Sequence, residues 1–203
     1  MPVFGITGGI ATGKSSCIGR LKSRLEIDRT VWFDADLAAR ELLENDALVK
    51  NEIQRAFGDP VFEESGKIDR NALRRAAFGT DENRKKLNSI LHPKVRSQWA
   101  SLAAQARQSK VWLFVEIALL YETSGHELCD KVIVVACSQH TQIRRITGAR
   151  GLTESMAKQI IASQSSLGEK CRMADVLIWN DAALTSLERQ CSLLVGWLNK
   201  TYA

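Results

Sequence analysis

The chain predicts an α/β domain built on a five-stranded parallel sheet flanked by helices, and three observations predict it. Short, nearly continuous apolar runs recur along the 203 residues. Longer segments with helical spacing separate them. A glycine-rich loop joins the first run to the first helical segment. Strands that are apolar on both faces belong to sheets covered by helices on both sides, and their alternation with helices points to parallel pairing.

The strands are read at Val3–Thr7, Val31–Phe33 (ending at Asp34), Val111–Val115, Val132–Val135 and Val176–Trp179. Helices are expected over Ser15–Leu25, Asp36–Lys50, Asp69–Phe78, Thr80–Leu91, Pro93–Gln108, Thr141–Arg150, Thr153–Ser163 and Leu184–Asn199. Asp69 has the character of an N-cap, and Pro93 suits the first turn of a new helix. His92-Pro93 then reads as the end of one helix and the start of the next. The span between the second and third strands, about 36–108, is almost wholly helical and reads as an insertion at the carboxyl edge of the sheet, where open α/β sheets bind ligands. A smaller insertion occupies about 138–175. The core is then about 1–35 and 109–203, all within one domain.

Composition excludes several classes. The chain is 45% apolar and 25% charged with only 3 prolines, so it is neither disordered nor fibrous. Its longest apolar run, Val111–Tyr121, is 11 residues and is broken by Glu116, far short of the roughly 20 a membrane span needs. No secretory leader pattern opens the chain. The 5 cysteines are odd in number and widely spaced, which fits reduced thiols in the cytoplasm rather than a disulfide framework or a zinc site. Net charge is +5, concentrated in two stretches, Lys67–Arg96 and His140–Arg172, while the remainder is net acidic. Two local basic segments suit small anionic ligands better than a polyanion, although charge runs are commonly just solvated helix faces. No zinc-finger spacing, RNP box or basic-aromatic alternation marks a nucleic-acid binder.

The strongest chemical signal is Gly8-Gly9-Ile10-Ala11-Thr12-Gly13-Lys14-Ser15, a full match to G-x-x-x-x-G-K-[ST]. The glycines let the backbone curl so that several amides point at phosphate oxygens, and the following helix adds its positive end. In such a loop Lys14 reaches the β- and γ-phosphates and the Ser15 hydroxyl coordinates Mg²⁺. The loop predicts a nucleoside triphosphate with magnesium but not what is done with it. A GTPase would show N-K-x-D, which is absent, and a motor ATPase would need a longer chain. A small kinase needs an acceptor pocket and a lid, which the two insertions would supply. Asp34-Ala35-Asp36 closes the second strand. On an extended segment its two carboxylates would point the same way, one to engage an acceptor hydroxyl and the other to order Mg²⁺ or water. Taken alone, the triplet also suits a plain helix N-cap. Glu116, after the third strand, reads either as a partner of a magnesium-bound water or as a polar strand end.

With these residues in view, the chain resembles the dephospho-coenzyme A kinase family over nearly its whole length. Thr7–Ser16 is similar to T-G-G-I-G-S-G-K-S-T, and Asp34-Ala35-Asp36 with Arg40 to D-A-D-x-x-x-R. Gly66–Arg70 with Leu73 and Phe78 resembles G-x-[IL]-[DN]-R-x-x-L…F, and His92-Pro93 matches H-P. Leu119–Glu122, Gln164, Glu169-Lys170, Ala174-Asp175 and Asn180 follow in the family's order. The resemblance implies a P-loop kinase-like fold, with a helical substrate-binding insertion and a small lid. It implies transfer of the ATP γ-phosphoryl group to the ribose 3′-hydroxyl of dephospho-coenzyme A, the last step of coenzyme A synthesis. It implies Asp36 as the base, with Lys14 and Arg145 also catalytic. ATP is expected at Ala11, Thr12, Gly13, Lys14, Ser15, Ser16 and Asn180, with Mg²⁺ at Ser15. The acceptor is expected at Asp36, Arg40 and Arg70. Partners are then ATP and dephospho-coenzyme A, with no nucleic acid and no membrane, in the cytoplasm. A P-loop kinase for another small acceptor, such as a nucleoside monophosphate or shikimate, is the alternative, and a non-enzymatic nucleotide-binding protein is a more distant one.

The chain departs from the family pattern at four places. Ala11 stands for a glycine, so the loop there must accommodate a Cβ. Ala118 stands for a proline, and Trp179 for the aspartate before Asn180. The lid arginine is expected at the position held by Ala149, leaving Arg150, one residue late, or Arg144 and Arg145 to carry its charge. The five tryptophans are read as packing residues more than ligand contacts, and Trp179 is singled out among them because it adjoins Asn180, where the adenine is expected.

Overall fold

The computed structural model describes residues 1–202, apart from the side chains of Ala149 and Arg150. It divides into two compact units, one made of residues 1–33 and 102–203, the other of Asp34–Ser101.

The first unit holds a five-stranded sheet of order β2-β3-β1-β4-β5. Its strands are β1 (Val3–Gly8), β2 (Thr30–Asp34), β3 (Trp112–Glu116), β4 (Lys131–Ala136) and β5 (Val176–Trp179). Pairing is parallel from β3 through β1 and β4 to β5. Every residue of β1 is buried, as its unbroken apolar run predicts for a central strand covered on both faces. One face of the sheet packs on α1 (Lys14–Lys22) and α9 (Leu184–Tyr202). Phe4, Ile6, Phe114, Ile133 and Ile178 meet Ile18, Leu21, Leu187 and Leu194 there. Trp32 stacks on Phe114 at 4.4 Å between centroids, which fastens the short β2. The opposite face carries Leu120, Val132, Val134 and Ala136, covered in part by Leu167 and Cys171 of α8 (Leu167–Met173). The register sets the functional edge. Ile6 pairs with Glu116 and Ala136 with Trp179, so the chain leaves β1, β3, β4 and β5 along one carboxyl edge.

The small insertion folds as α6 (Gln139–Arg150), α7 (Glu154–Ala162) and α8. Ser138 caps α6, its hydroxyl accepting from the Thr141 amide at 3.2 Å, and Thr153 caps α7 in the same way at 3.3 Å. The seven-residue α8 is too short and too polar to announce itself by periodicity, and the sequence reading passes over it.

The second unit is helical. The single helix expected over Asp36–Lys50 is two, α2 (Ala35–Asn45) and α3 (Ala47–Phe57). Asp46 ends the first and caps the second, accepting from the amides of Leu48 and Val49 at 2.8 and 3.0 Å. A carboxylate that satisfies two amides of a new helix favours the break over continuation. A small turn carries an isolated antiparallel bridge from Phe62 to Ile68, with Gly66 at φ 77°. It leads into α4 (Arg70–Phe78), capped by Asp69 as the sequence indicates. The two helices expected to meet at His92-Pro93 are one, α5 (Asp81–Gln108), with Pro93 inside it. Pro93 removes the amide that would bond the Ser89 carbonyl. Buried Leu91, Val95 and Trp99 on either side carry the helix through, and packing overrides the local break. His92-Pro93 is therefore neither an end nor a start. The last residues of α5 belong with the first unit, where the Met1 amino group bonds the Ala106 carbonyl at 3.1 Å.

Candidate active site

The loop between β1 and α1 has the curl its glycines predict. Gly13 is left-handed at φ 92°, and the Thr12 hydroxyl closes a turn on the Gly9 carbonyl at 2.9 Å. A Cβ at Gly8 would collide with the Val135 carbonyl, and one at Gly13 with the Asn180 amide group. No side chain caps α1, so its first amides face outward from a positive helix end. Ala11, in place of a glycine, takes a left-handed φ of 58°. The loop keeps its shape and carries the strain.

Three side chains frame this loop. Lys14 forms an ion pair with Glu116, which the strand register delivers beside the end of β1. Asn180 is buried after β5. Its amide nitrogen donates to the Thr12 carbonyl at 2.8 Å, and its backbone amide to Ala136 at 2.7 Å. Arg145 of α6 donates to the carbonyls of Ala11 at 3.1 Å and Asn180 at 2.9 Å. Arg145 and Asn180 line a cleft of about 290 Å³ with Gly13, Ser16, Leu184 and Leu187. Ser15 and Ser16 are exposed in the first turn of α1, and neither hydroxyl has a protein partner among the described residues. Arg144, the other lid cation weighed from sequence, is exposed, and the Ala149–Arg150 side chains lie outside the described residues.

Further contacts escaped sequence reasoning. Gln142, buried on α6, donates to the Ile10 carbonyl at 2.7 Å, and Gln164 accepts from the Ile10 amide at 3.0 Å. Together they pin the loop to the small insertion. Gln142 sits one turn before Arg145, and that i, i+3 spacing is the signal that puts both on one helix face. Lys170 is buried and donates to Glu122 at 2.8 Å and to the Ala118 carbonyl at 3.0 Å. Glu116 is the ion-pair partner of Lys14 rather than a free strand end. Asp181 accepts from the amide and hydroxyl of Ser138. Burial raises its pKa, but these hydrogen bonds outweigh that and hold it below the usual carboxylate range.

Trp179 does not line the Asn180 cleft. It alternates with Ile178, which points into the α1–α9 core, and so lies on the opposite face of the sheet.

In the second unit, Asp34-Ala35-Asp36 is not an extended triplet, because the chain enters α2 at Ala35. The two carboxylates divide. Asp34 accepts from the amides of Asp36 and Leu37 at 2.9 and 3.0 Å and is the N-cap. Asp36 is exposed in the first turn, with no partner for its carboxylate among the described residues. Arg40 is exposed one turn on, four residues later and so on the same helix face as Asp36. Arg70, first residue of α4, lies 3.5 Å from Glu44 and lines a cleft with Lys50 and Lys67.

A family model described as dephospho-CoA kinase matches residues 2–186. A curated dephospho-CoA kinase of Bacillus licheniformis is 37% identical over 199 residues, covering 97% of each chain. Among solved structures, a Thermus thermophilus protein superposes with a TM-score of 0.76 at 28% identity, covering 97% of both chains. The dephospho-CoA kinase from Campylobacter jejuni does so at 0.67 and 26%, with the same coverage. The match takes in the phosphate loop, the first turn of α2, α4, the small insertion and Asn180 together, and the chain belongs to the dephospho-CoA kinase family.

Proposed function

We propose that this chain transfers the γ-phosphoryl group of ATP to the ribose 3′-hydroxyl of dephospho-coenzyme A, giving coenzyme A and ADP. The observation that carries the reading is the extent of the family match, which runs through both the nucleotide loop and the helical insertion. A general nucleotide-binding protein would share only the first.

Phosphoryl transfer asks the protein for positioning and charge stabilisation more than for covalent chemistry. The uncapped amides at the start of α1 would hold the α- and β-phosphates. Lys14 would exchange Glu116 for the β- and γ-oxygens and meet charge that develops on the moving group. Arg145 and Asn180 would keep the loop closed around the phosphates and form the wall against which the ATP adenine rests, with Leu184 and Leu187 as its apolar side. Asp36 would orient the acceptor hydroxyl and take its proton. Its freedom from cap duty, which Asp34 performs, leaves its oxygens available. Arg40, on the same face, and Arg70, beside Lys50 and Lys67, would bind the acceptor's diphosphate.

The residues present suit magnesium carried in with the nucleotide. The Ser15 hydroxyl is unpartnered, and no group of His, Cys, Asp or Glu able to hold a metal unaided occurs among the described residues. Mg²⁺ characteristically takes one or two protein oxygens and completes its shell with phosphates and waters. Bound there, it would neutralise charge on the β- and γ-phosphates. Among the described residues no helix is long and apolar enough to cross a membrane. We place the reaction in the cytoplasm, in keeping with five free cysteines.

The test is mass spectrometry of the product made from ATP, magnesium and dephospho-coenzyme A, beside a panel of nucleoside monophosphates and shikimate. A mass gain of one phosphoryl group on dephospho-coenzyme A alone is expected. Turnover of another acceptor in its place would move the chain to a different kinase activity.

A further inference from the structure

Among the described residues two cysteines meet at the base of the phosphate loop. Cys17 of α1 and Cys191 of α9 bring their sulfurs to 3.7 Å, and both side chains are fully buried. Both helices belong to the first unit. The Cys17 amide donates to the Gly13 carbonyl at 3.0 Å, so Cys17 sits one turn below the residue whose left-handed conformation shapes the loop. Leu187, one turn before Cys191, packs in the same core cluster and also lines the cleft of about 290 Å³ with Gly13 and Ser16. The sulfurs therefore lie behind the wall of an open cleft, and a local opening of that wall admits a solute the size of water.

Charge around the pair favours reaction at Cys191. Arg20 reaches Glu188 at 3.4 Å, and Arg24 donates to the Ser192 hydroxyl at 3.2 Å. Two guanidinium groups thus meet α9 on either side of Cys191. The hydrogen bond with Cys17 draws the Cys191 thiol below its ordinary value against the burial that raises it, and Arg24 and Arg20 add to that pull. The same bond, together with burial, pushes the Cys17 thiol up. Cys129, Cys137 and Cys171 have no sulfur partner among the described residues. Burial pushes each of them up, Cys129 to about 12 and Cys137 to about 11. A thiolate beside a thiol is the arrangement that closes to a disulfide, whereas an isolated buried thiol is inert.

We propose that Cys17 and Cys191 form a modification site, closed to a disulfide by a hydroperoxide and reopened by thiols, which slows phosphoryl transfer while it is closed. The Cys191 thiol gives up its proton and its sulfur attacks one peroxide oxygen. The S–O bond forms as the O–O bond breaks, and the leaving hydroxide takes that proton to become water. The Cys17 sulfur then attacks the Cys191 sulfur. The S–S bond forms as the S–O bond breaks, and the hydroxide released takes the Cys17 proton as a second water. Two thiols are oxidised by two electrons, and one hydrogen peroxide is reduced to two waters. An S–S bond is about 2.05 Å long, so the sulfurs must approach by about 1.7 Å. Movement of Cys17 is carried to the first turn of α1, which holds Lys14 and Ser15. A misplacement of about 1 Å can cost about 10² in rate. The slowing rests on the reaction proposed above, and the disulfide does not.

The test treats the wild type, Cys191→Ala and Cys17→Ala with hydrogen peroxide, desalts them, and divides each between a kinase assay and tryptic digestion without reductant. The wild type should yield Ser15–Arg20 joined to Gln190–Lys200, lighter by two hydrogen atoms than the two peptides together. Its kcat should fall about 10² in step with that product and return with dithiothreitol. Both variants should keep the rates they had before treatment. Absence of the joined peptides, equal loss of activity in the variants, a loss that dithiothreitol does not reverse, or full turnover by the joined form would each overturn the proposal. A wild type inactive on dephospho-coenzyme A before treatment would instead overturn the proposed reaction, and the joined peptides would still decide the site.

Discussion

The phosphate-loop unit and the helical unit present their site residues in opposite ways. In the first, Lys14 holds Glu116, Asn180 holds Thr12, and Arg145 holds both Ala11 and Asn180. In the second, Asp36 and Arg40 are exposed without side-chain partners among the described residues, and Arg70 meets only a half-exposed Glu44. The contrast follows from what each binds with. A loop that works through backbone amides cannot correct its aim by changing rotamers, so neighbouring side chains must fix it. Long cations and a surface carboxylate act through charge and can adjust, and holding them in place would gain little. Substitutions in the first unit should therefore disturb both stability and turnover, and those at the exposed residues of the second should disturb turnover alone.

Lys14→Ala should have the largest effect, a fall in kcat of about 10²–10³, the scale of losing one preorganised group that stabilises developing charge. It also leaves the carboxylate of Glu116, only 17% exposed, without its partner, so the melting temperature should fall as well. Asp36→Asn should cost about 10² in kcat, at the lower end for a general base, because orientation by the amide oxygen survives. Its melting temperature and its affinity for ATP should match the wild type. A melting temperature lowered as much as in Lys14→Ala would erase the distinction between the two units.

That distinction also governs what could be read from the sequence. The sheet and the loop were legible because buried parallel strands must be apolar throughout and because the loop's glycines answer a steric demand, seen at Gly8 and Gly13. The helical unit was less so. Asp46 breaks one expected helix by capping the next, while Pro93 fails to break another because Leu91, Val95 and Trp99 are buried around it. A polar side chain prevails in the first case and packing in the second, and local pattern does not tell which. The division of labour between Asp34 and Asp36 was equally hidden, since it depends on where the strand ends. Adjacency in sequence to Asn180 does not bring Trp179 into its cleft, because alternation along the strand sends neighbours to opposite faces.

Arg145→Ala should come next in size. It deletes two charged hydrogen bonds to backbone carbonyls that tie the loop to the end of β5, and should lower stability by about 2 kcal/mol. The KM for ATP should rise more than the KM for dephospho-coenzyme A. A variant as stable as the wild type would show that the loop holds its shape without this clamp. Ala11→Gly is a smaller test of the same framework and runs in the other direction. An alanine at φ 58° carries about 1 kcal/mol of backbone strain that glycine does not. Glycine returns part of that as unfolded-state entropy, so a net gain of about 0.5 kcal/mol is expected in chemical denaturation.

The smallest effect concerns pH and belongs to the helical unit. His92 is partly buried in α5, and burial holds its pKa below the ordinary histidine value. The unfolded chain then binds a proton at higher pH than the folded chain does. Between the ordinary value near 6.5 and the lower folded value, acidification favours unfolding, and above about 6.5 the contribution to stability is complete. Thermal melts from pH 7.5 down to 5 should show a decline that His92→Gln reduces. The carboxylates of Glu82 and Glu154 are held low by Lys86 and Lys158, so their own titration lies further down. An identical slope in the variant would mean that water reaches the ring as freely in the folded protein as in the unfolded one. The helix would then be looser around Pro93 than its buried neighbours imply, and the unit least fixed by its site residues would be the less fixed in its packing too.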